Sequence, residues 1–183
     1  MEHCGLTTHH SDRTYSQMAT TRLQTKAQKR TAAGQDAIAL LKADHRQVEE
    51  WFSEFDKSRS SSRKAQLAAR ICEALTVHTM IEEEIFYPAF FAATEDRDLH
   101  HEALVEHAGA KNLIAQIQKM SPEDDFFEAK VTVLSEMIKH HVKEEEQRGG
   151  MFAEAKNSDM DLQALGQQLL ARKKELQSQR KAA

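Results

Sequence analysis

Proline and glycine are scarce in this chain, with two and six residues in 183. Folds built on tight turns need more of both, so the shortage points to long, uninterrupted helices. Cysteine is as sparse. Cys4 and Cys72 are the only two, which excludes a disulfide framework, fits a reducing compartment and leaves Cys72 as a packing residue. No apolar run approaches the ~18 residues that a membrane-spanning helix needs. Positive charge is not in excess either: the formal net charge is −4, which argues against a general nucleic-acid binder. These absences predict a soluble, cytoplasmic protein with neither a membrane nor nucleic acid as partner.

What is present agrees. Charged residues make up 30% of the chain, and Ala, Leu, Glu, Lys and Gln are abundant, the composition of an all-α protein. Residues 1–33 carry five basic against two acidic side chains with no apolar periodicity, and read as a disordered tail, with a transit-type peptide as the alternative. His3, His9 and His10 fall in it. From Gln35 the helical period begins. A first helix to about Asp56 aligns Ile38, Leu41, His45, Val48 and Phe52. A second runs from about Arg63 to Phe91, its last turn weakened by Pro88. A third extends from about Asp98 to Met120 after a start signal at Thr94. A fourth opens at Ser121-Pro122 with following acids and closes near Gly149-Gly150. These four form an up-down-up-down bundle over residues 34–156, and residues 157–183 add a C-terminal amphipathic helix through Leu162, Leu165, Leu169 and Leu176.

Two helices carry an anomaly on their buried side. In "LTVHTMIEEEIFYPAF", residues 75–90, steps of about 100° per residue put His78 among Ile71, Ala74, Leu75 and Ile85, with Glu82 about 40° away. Glu83 and Glu84 point elsewhere, at about 140° and −120°. The fourth helix repeats the pattern: His141 shares the face of Leu134, Met137 and Ile138, and Glu145 follows four residues on. An unpaired buried carboxylate costs several kcal/mol and must be protonated, paired or metal-bound. The first and third helices each place one histidine, His45 and His107, inside their own apolar stripes.

The order along the chain is therefore His, His-x-x-x-Glu, His, His-x-x-x-Glu, with separations of 33, 29 and 34 residues between successive histidines. In an antiparallel bundle each separation returns the chain to about the same height. His45, His78, Glu82, His107, His141 and Glu145 thus converge on one layer. A lone buried histidine is most often satisfied by an ordinary hydrogen bond; four at one height with two inward carboxylates read as a metal site. Imidazole suits iron, zinc, copper and nickel, and a carboxylate can bridge two cations. The set is expected to hold two non-haem iron ions with an oxo or hydroxo bridge.

The neighbours have plainer readings. Glu83, Glu84, Glu144 and Glu146 read as solvated charges, with Glu144 alone able to touch the site. Glu49 repeats the four-residue spacing after His45 but reads as an ion-pair partner. His101 and His140 read as surface residues, and Trp51, Phe52, Phe86, Phe90 and Phe91 as packing. Tyr87, about 180° from His78 on the helical wheel, is expected to face away from the layer.

The stretches "DHRQVEEWF", "HTMIEEEIFYP", "EHAGAKNLI" and "HHVKEEEQ" resemble the hemerythrin-like, HHE cation-binding domains of bacterial proteins, over residues 36 to about 156. The resemblance implies the same six residues as iron ligands, with Glu82 and Glu145 bridging, and a centre that takes dioxygen, nitric oxide or peroxide. Oxygen-carrying relatives place a second histidine four residues before the one on the third helix, where this chain has Ala103. The vacated position falls to an exogenous ligand, His100, Glu49, Glu102 or Glu106. The expected function is oxygen, nitric oxide, redox or iron sensing or handling, with a peroxide- or nitric-oxide-consuming enzyme as the alternative.

Overall fold

The structure, a computed structural model, describes residues 35–182. The tail expected over residues 1–33 lies outside them, as do Cys4 and its neighbouring histidines. The described residues are all-helical: α1 (Ala37–Lys57), α2 (Ser61–Ile81), a wide π turn (Glu82–Phe86), α3 (Tyr87–Thr94), α4 (Arg97–Ile117), α5 (Phe127–Glu146), α6 (Met151–Asn157) and α7 (Leu162–Ala182). α2, the π turn and α3 form one continuous rod. Neighbours in the bundle are α1 with α2, α2 with α4, α4 with α5 and α5 with α1, the expected up-down-up-down arrangement, and α7 lies against α1 and α2. No described helix is long and apolar enough to cross a membrane.

Helix starts follow local chemistry, with two departures from expectation. Asp36 caps α1 by accepting from the Ala39 amide at 2.8 Å, and Ser60 caps α2 through the Arg63 amide. At α4 the cap is Asp96, which accepts from the Leu99 amide at 3.0 Å. Thr94 instead hydrogen-bonds the Phe90 carbonyl at the end of α3. Ser121-Pro122 does not open the fourth bundle helix. The Asp124 amide bonds the Ser121 carbonyl and the Phe127 amide the Asp124 carbonyl, so the acids are spent on two successive turns and α5 begins only at Phe127. Ser and Asp favour turns and caps by the same side-chain bonds, and here turns win.

The core is two apolar clusters. One gathers Ile38, Leu41, Ile81, Phe86 and Phe90 with Phe152 of α6 and Leu165, Leu169 and Leu176 of α7. The other joins Val48, Phe52, Leu67, Ile71, Ile114, Leu134 and Ile138. Cys72 packs in the second, 1% exposed. α7 reaches the first cluster because Gly166 lies against the start of α1; a Cβ there would sit 2.3 Å from the Gln35 carbonyl oxygen. Between the clusters lies a polar layer.

Candidate metal centre

All six residues expected at one height meet there, each at most 4% exposed: His45, His78, Glu82, His107, His141 and Glu145. The histidines pair by their inner ring nitrogens. His45 Nε2 lies 3.1 Å from His78 Nε2, and His107 Nε2 lies 3.2 Å from His141 Nε2. Each carboxylate then joins one pair to the other. Glu82 Oε2 is 3.1 Å from His78 Nε2 and 3.4 Å from His107 Nε2. Glu145 Oε2 is 3.4 Å from His45 Nε2 and 3.7 Å from His141 Nε2. Two donor sets result, His45 with His78 and Glu82, and His107 with His141 and Glu82.

The outer ring nitrogens have their own partners, and these were not foreseen. His45 Nδ1 meets Glu146 at 2.8 Å, His107 Nδ1 meets Glu83 at 3.0 Å and His141 Nδ1 meets Glu106 at 2.7 Å. His78 Nδ1 faces Asp44 at the longer distance of 3.6 Å. Such carboxylates fix the tautomer and ring orientation of a metal-binding histidine. Glu83 and Glu146 are therefore not the solvated charges that their helical phase implied. A residue adjacent to an inward one on a helix points along the rim of the layer, where a neighbouring helix brings an imidazole to it. Glu84 and Glu49 do turn outward, to Arg172 and Arg46.

Tyr87 is the larger correction. It is 0% exposed, donates its hydroxyl to Glu145 Oε1 at 3.1 Å and stands 3.1 Å from His107 Nε2. The cause is the π turn just before it. Its i→i+5 bond, from the Tyr87 amide to the Glu82 carbonyl, inserts one residue into the ladder, so all that follows lags by about 100° and Tyr87 swings onto the inner face. Pro88 is the one sequence signal, since a proline clashes with the carbonyl four residues back and a widened turn relieves it. His100, by contrast, stacks on Phe91 with ring centres 5.0 Å apart and stays out of the layer. Phe152 closes one side, stacking on His45 at 5.8 Å. The Gly149-Gly150 turn brings it there, with Gly149 at φ 81 and no room for a Cβ on Gly150, which would meet the Glu144 carbonyl oxygen.

The electrostatics show a layer with unmet demand. Burial alone would lower His78, but the facing Glu82 carboxylate and Asp44 outweigh it and hold the imidazolium up to about 10. His107 goes the other way, pushed down to about 4 mainly by burial. Glu82 is held below the usual carboxylate range by His78, His107 and His141 against its own burial. Glu145 is raised by burial and by the charge of Glu82. Both Glu82 oxygens and Glu145 Oε2 are buried without a hydrogen-bond partner. Buried oxygens without partners cost stability, and a cation between the pairs is the species that would satisfy them. The donor set of imidazoles and carboxylates fits hard to borderline cations such as iron.

Comparison with known proteins agrees with this geometry. A crystal structure of a hemerythrin HHE cation-binding domain-containing protein from Mycobacterium kansasii superposes with a TM-score of 0.65 at 22% identity, covering 79% of this chain and 88% of that one. A curated relative from a Nostoc species, named a DNA nickase, is 28% identical over 122 residues. That match takes in 65% of this chain and only 33% of the relative, so the chain spans about a third of its length. The model of the hemerythrin HHE cation-binding domain matches residues 36–149, from the cap of α1 to the turn after α5. With its layer of histidines and glutamates buried inside a four-helix bundle, the chain belongs to the hemerythrin HHE cation-binding domain family.

Proposed function

We propose that this protein is a non-haem di-iron protein that binds a small exogenous ligand, dioxygen, nitric oxide or peroxide, and serves in sensing or handling it. His45, His78, His107, His141, Glu82 and Glu145 would hold the two ions. The observation that carries this reading is that each buried glutamate meets one histidine from either pair. One tetrahedral ion would leave part of that set idle. Iron bound there supplies redox chemistry and affinity for diatomic ligands.

The chain's own residues define where such a ligand fits. A cavity of about 10 Å³ faces all four imidazoles and is otherwise lined by Asp44, Thr79, Val48, Leu75, Ile138 and Val142. A space that small suits a ligand of about the size of a water molecule. The Tyr87 hydroxyl is held by Glu145 and stands 3.1 Å from His107 Nε2. That hydroxyl favours the second reading, an enzyme consuming peroxide or nitric oxide, because it puts a proton donor beside the site. No nucleic-acid partner enters the proposal, given the net charge of −4. The nickase name remains that of the much longer relative.

The test is metal analysis and an optical spectrum after iron-replete expression and aerobic purification. About two iron ions per chain and a near-ultraviolet charge-transfer band are expected. One zinc and no iron would overturn the proposal. Sustained peroxide destruction in proportion to iron content would favour the enzyme.

A further inference from the structure

The fourth bundle helix carries the ligand motif twice, one residue out of step. His141 and Glu145 face the core, and His140 and Glu144, with the same four-residue spacing, face the seam with α4. There they meet Glu106. His140 Nε2 lies 3.4 Å from Glu106 Oε1 and 3.1 Å from Glu144 Oε1, and the three residues offer donor atoms within 4.8 Å of one another. The other oxygen of Glu106 holds His141 Nδ1, so this one carboxylate touches both the outer cluster and the buried layer.

Charge singles out this quadrant. The carboxylates behind the other three histidines are each neutralised by a basic side chain: Glu146 by Lys42 and Arg46, Glu83 by Lys111, and Asp44 by Lys173. Among the described residues Glu106 and Glu144 have no lysine or arginine partner, only histidine, and Glu102 joins them in lining one small cavity. The same cavity runs to His141 and to Glu145, whose buried Oε2 has no hydrogen-bond partner. Three carboxylates line this cavity, His140 stands against two of them, and the unsatisfied Glu145 shares the same lining, which makes a path for a hard or borderline divalent cation.

We propose that Glu106, His140 and Glu144 form an outer divalent-cation site that captures the ion and delivers it past Glu145 into the buried layer. Its role as a loading port rests on the di-iron reading above. His140 is mostly exposed and Glu144 half-buried, so a cation reaches them with its water and sheds it stepwise on the way in.

The test uses the full-length protein and the double variant His140→Ala/Glu144→Gln, both positions chosen at the surface so that folding is preserved. Stopped-flow uptake of limiting Fe²⁺ by metal-free protein should slow about tenfold, as expected when a focused local field is lost, while the final iron content stays that of the wild type. Glu136→Gln, which removes an exposed acid elsewhere on the same helix, should leave uptake unchanged. Equal slowing in that control, or no slowing in the double variant, overturns the proposal. An independent readout is Mn²⁺ titration followed by electron paramagnetic resonance. Iron-loaded wild-type protein should bind about one further Mn²⁺ and the double variant none; equal binding by both overturns the outer site. If the wild type takes up no iron, the di-iron reading fails separately, and Mn²⁺ titration of the metal-free wild type and double variant decides the outer site: about one Mn²⁺ fewer in the variant supports it, and equal binding overturns it.

Discussion

Within each histidine pair the two imidazoles behave differently, and they do so in the same way in both pairs. Each comes from a helix with one histidine followed by a helix with His-x-x-x-Glu, and each closes to about the same nitrogen separation. Yet the histidine of each His-x-x-x-Glu motif is raised, His78 to about 10 and His141 with it, while the lone histidine of each pair is lowered, His107 to about 4 and His45 with it. The cause is their neighbours. His78 faces Glu82 at 3.1 Å and Asp44 behind it, whereas His107 is hemmed by the Tyr87 ring, with centres 5.3 Å apart, and shares Glu82 at longer range. A repeated motif sets which groups meet; the environment sets how readily each gives up its proton.

The harshest way to break the comparison is to remove what the pairs share. Glu82→Gln should cut bound metal to about a tenth or less, because the residue touches both pairs and a neutral amide bridges poorly. Metal analysis checks this, and a variant that loads like the wild type would show that the pairs act independently. His101→Ala, on an exposed side chain, should leave loading unchanged.

Tyr87→Phe acts on the second pair and on Glu145. It should keep the fold and the metal, since the ring still fills its place. Azide or nitric oxide affinity should change about 10–100-fold, with a shifted optical spectrum, as when a hydrogen-bond partner of a metal site is lost. An unaltered spectrum and affinity would mean that the hydroxyl is only a core residue's polar tip.

The carboxylates behind the histidines sharpen the contrast. Glu146→Gln removes a 2.8 Å partner of His45 and should weaken cation binding by about tenfold or more. Asp44→Asn, whose acid stands 3.6 Å from His78 and also binds Lys173, should weaken it less. Calorimetric titration of the two variants gives the order, and a reversed order would show that Asp44 closes on His78 when the layer is filled.

Protonation gives a quieter test. Because the folded His78 is raised above its unfolded value of ~6.5, its contribution to the stability of the cation-free protein is fully present below that pH and is lost as pH rises through about 10. At neutral pH a cation must therefore expel that proton, while His107 has none to give. Release of about one proton or more per chain on binding is expected, read from calorimetry in buffers of different ionisation enthalpy. The smallest effect concerns α7, which supports only the α1–α2 side. Gly166→Ala should cost about 1–3 kcal/mol in thermal unfolding through overpacking against α1, with iron content retained.

Much of this molecule was legible in its sequence because two periods coincide there. The helical repeat fixes which face each residue takes, and the near-equal chain separations fix the height at which a face returns. Together they placed His45, His78, Glu82, His107, His141 and Glu145 in one layer before any coordinates, and the scarcity of proline and glycine determined an all-helical fold. Wheel arithmetic fails where the ladder is not α-helical. The wheel turns Tyr87 outward, but the wide turn shifts phase by a whole residue and brings it inward, and only Pro88 hints at it. Glu83, Glu106 and Glu146 were out of reach for a different reason: a residue on the rim of a helix face gains its meaning from the helix beside it, and no local period encodes that neighbour. The fourth helix's late start at Phe127 likewise depended on competition between turn and cap. The sequence by itself thus determined the fold class and the six inward side chains, because periodicity is a local property of the chain. Tertiary structure alone decided the pairing of the histidines, the carboxylate behind each, the place of Tyr87 and the quadrant left without a basic partner, because those follow from distances between helices far apart in sequence.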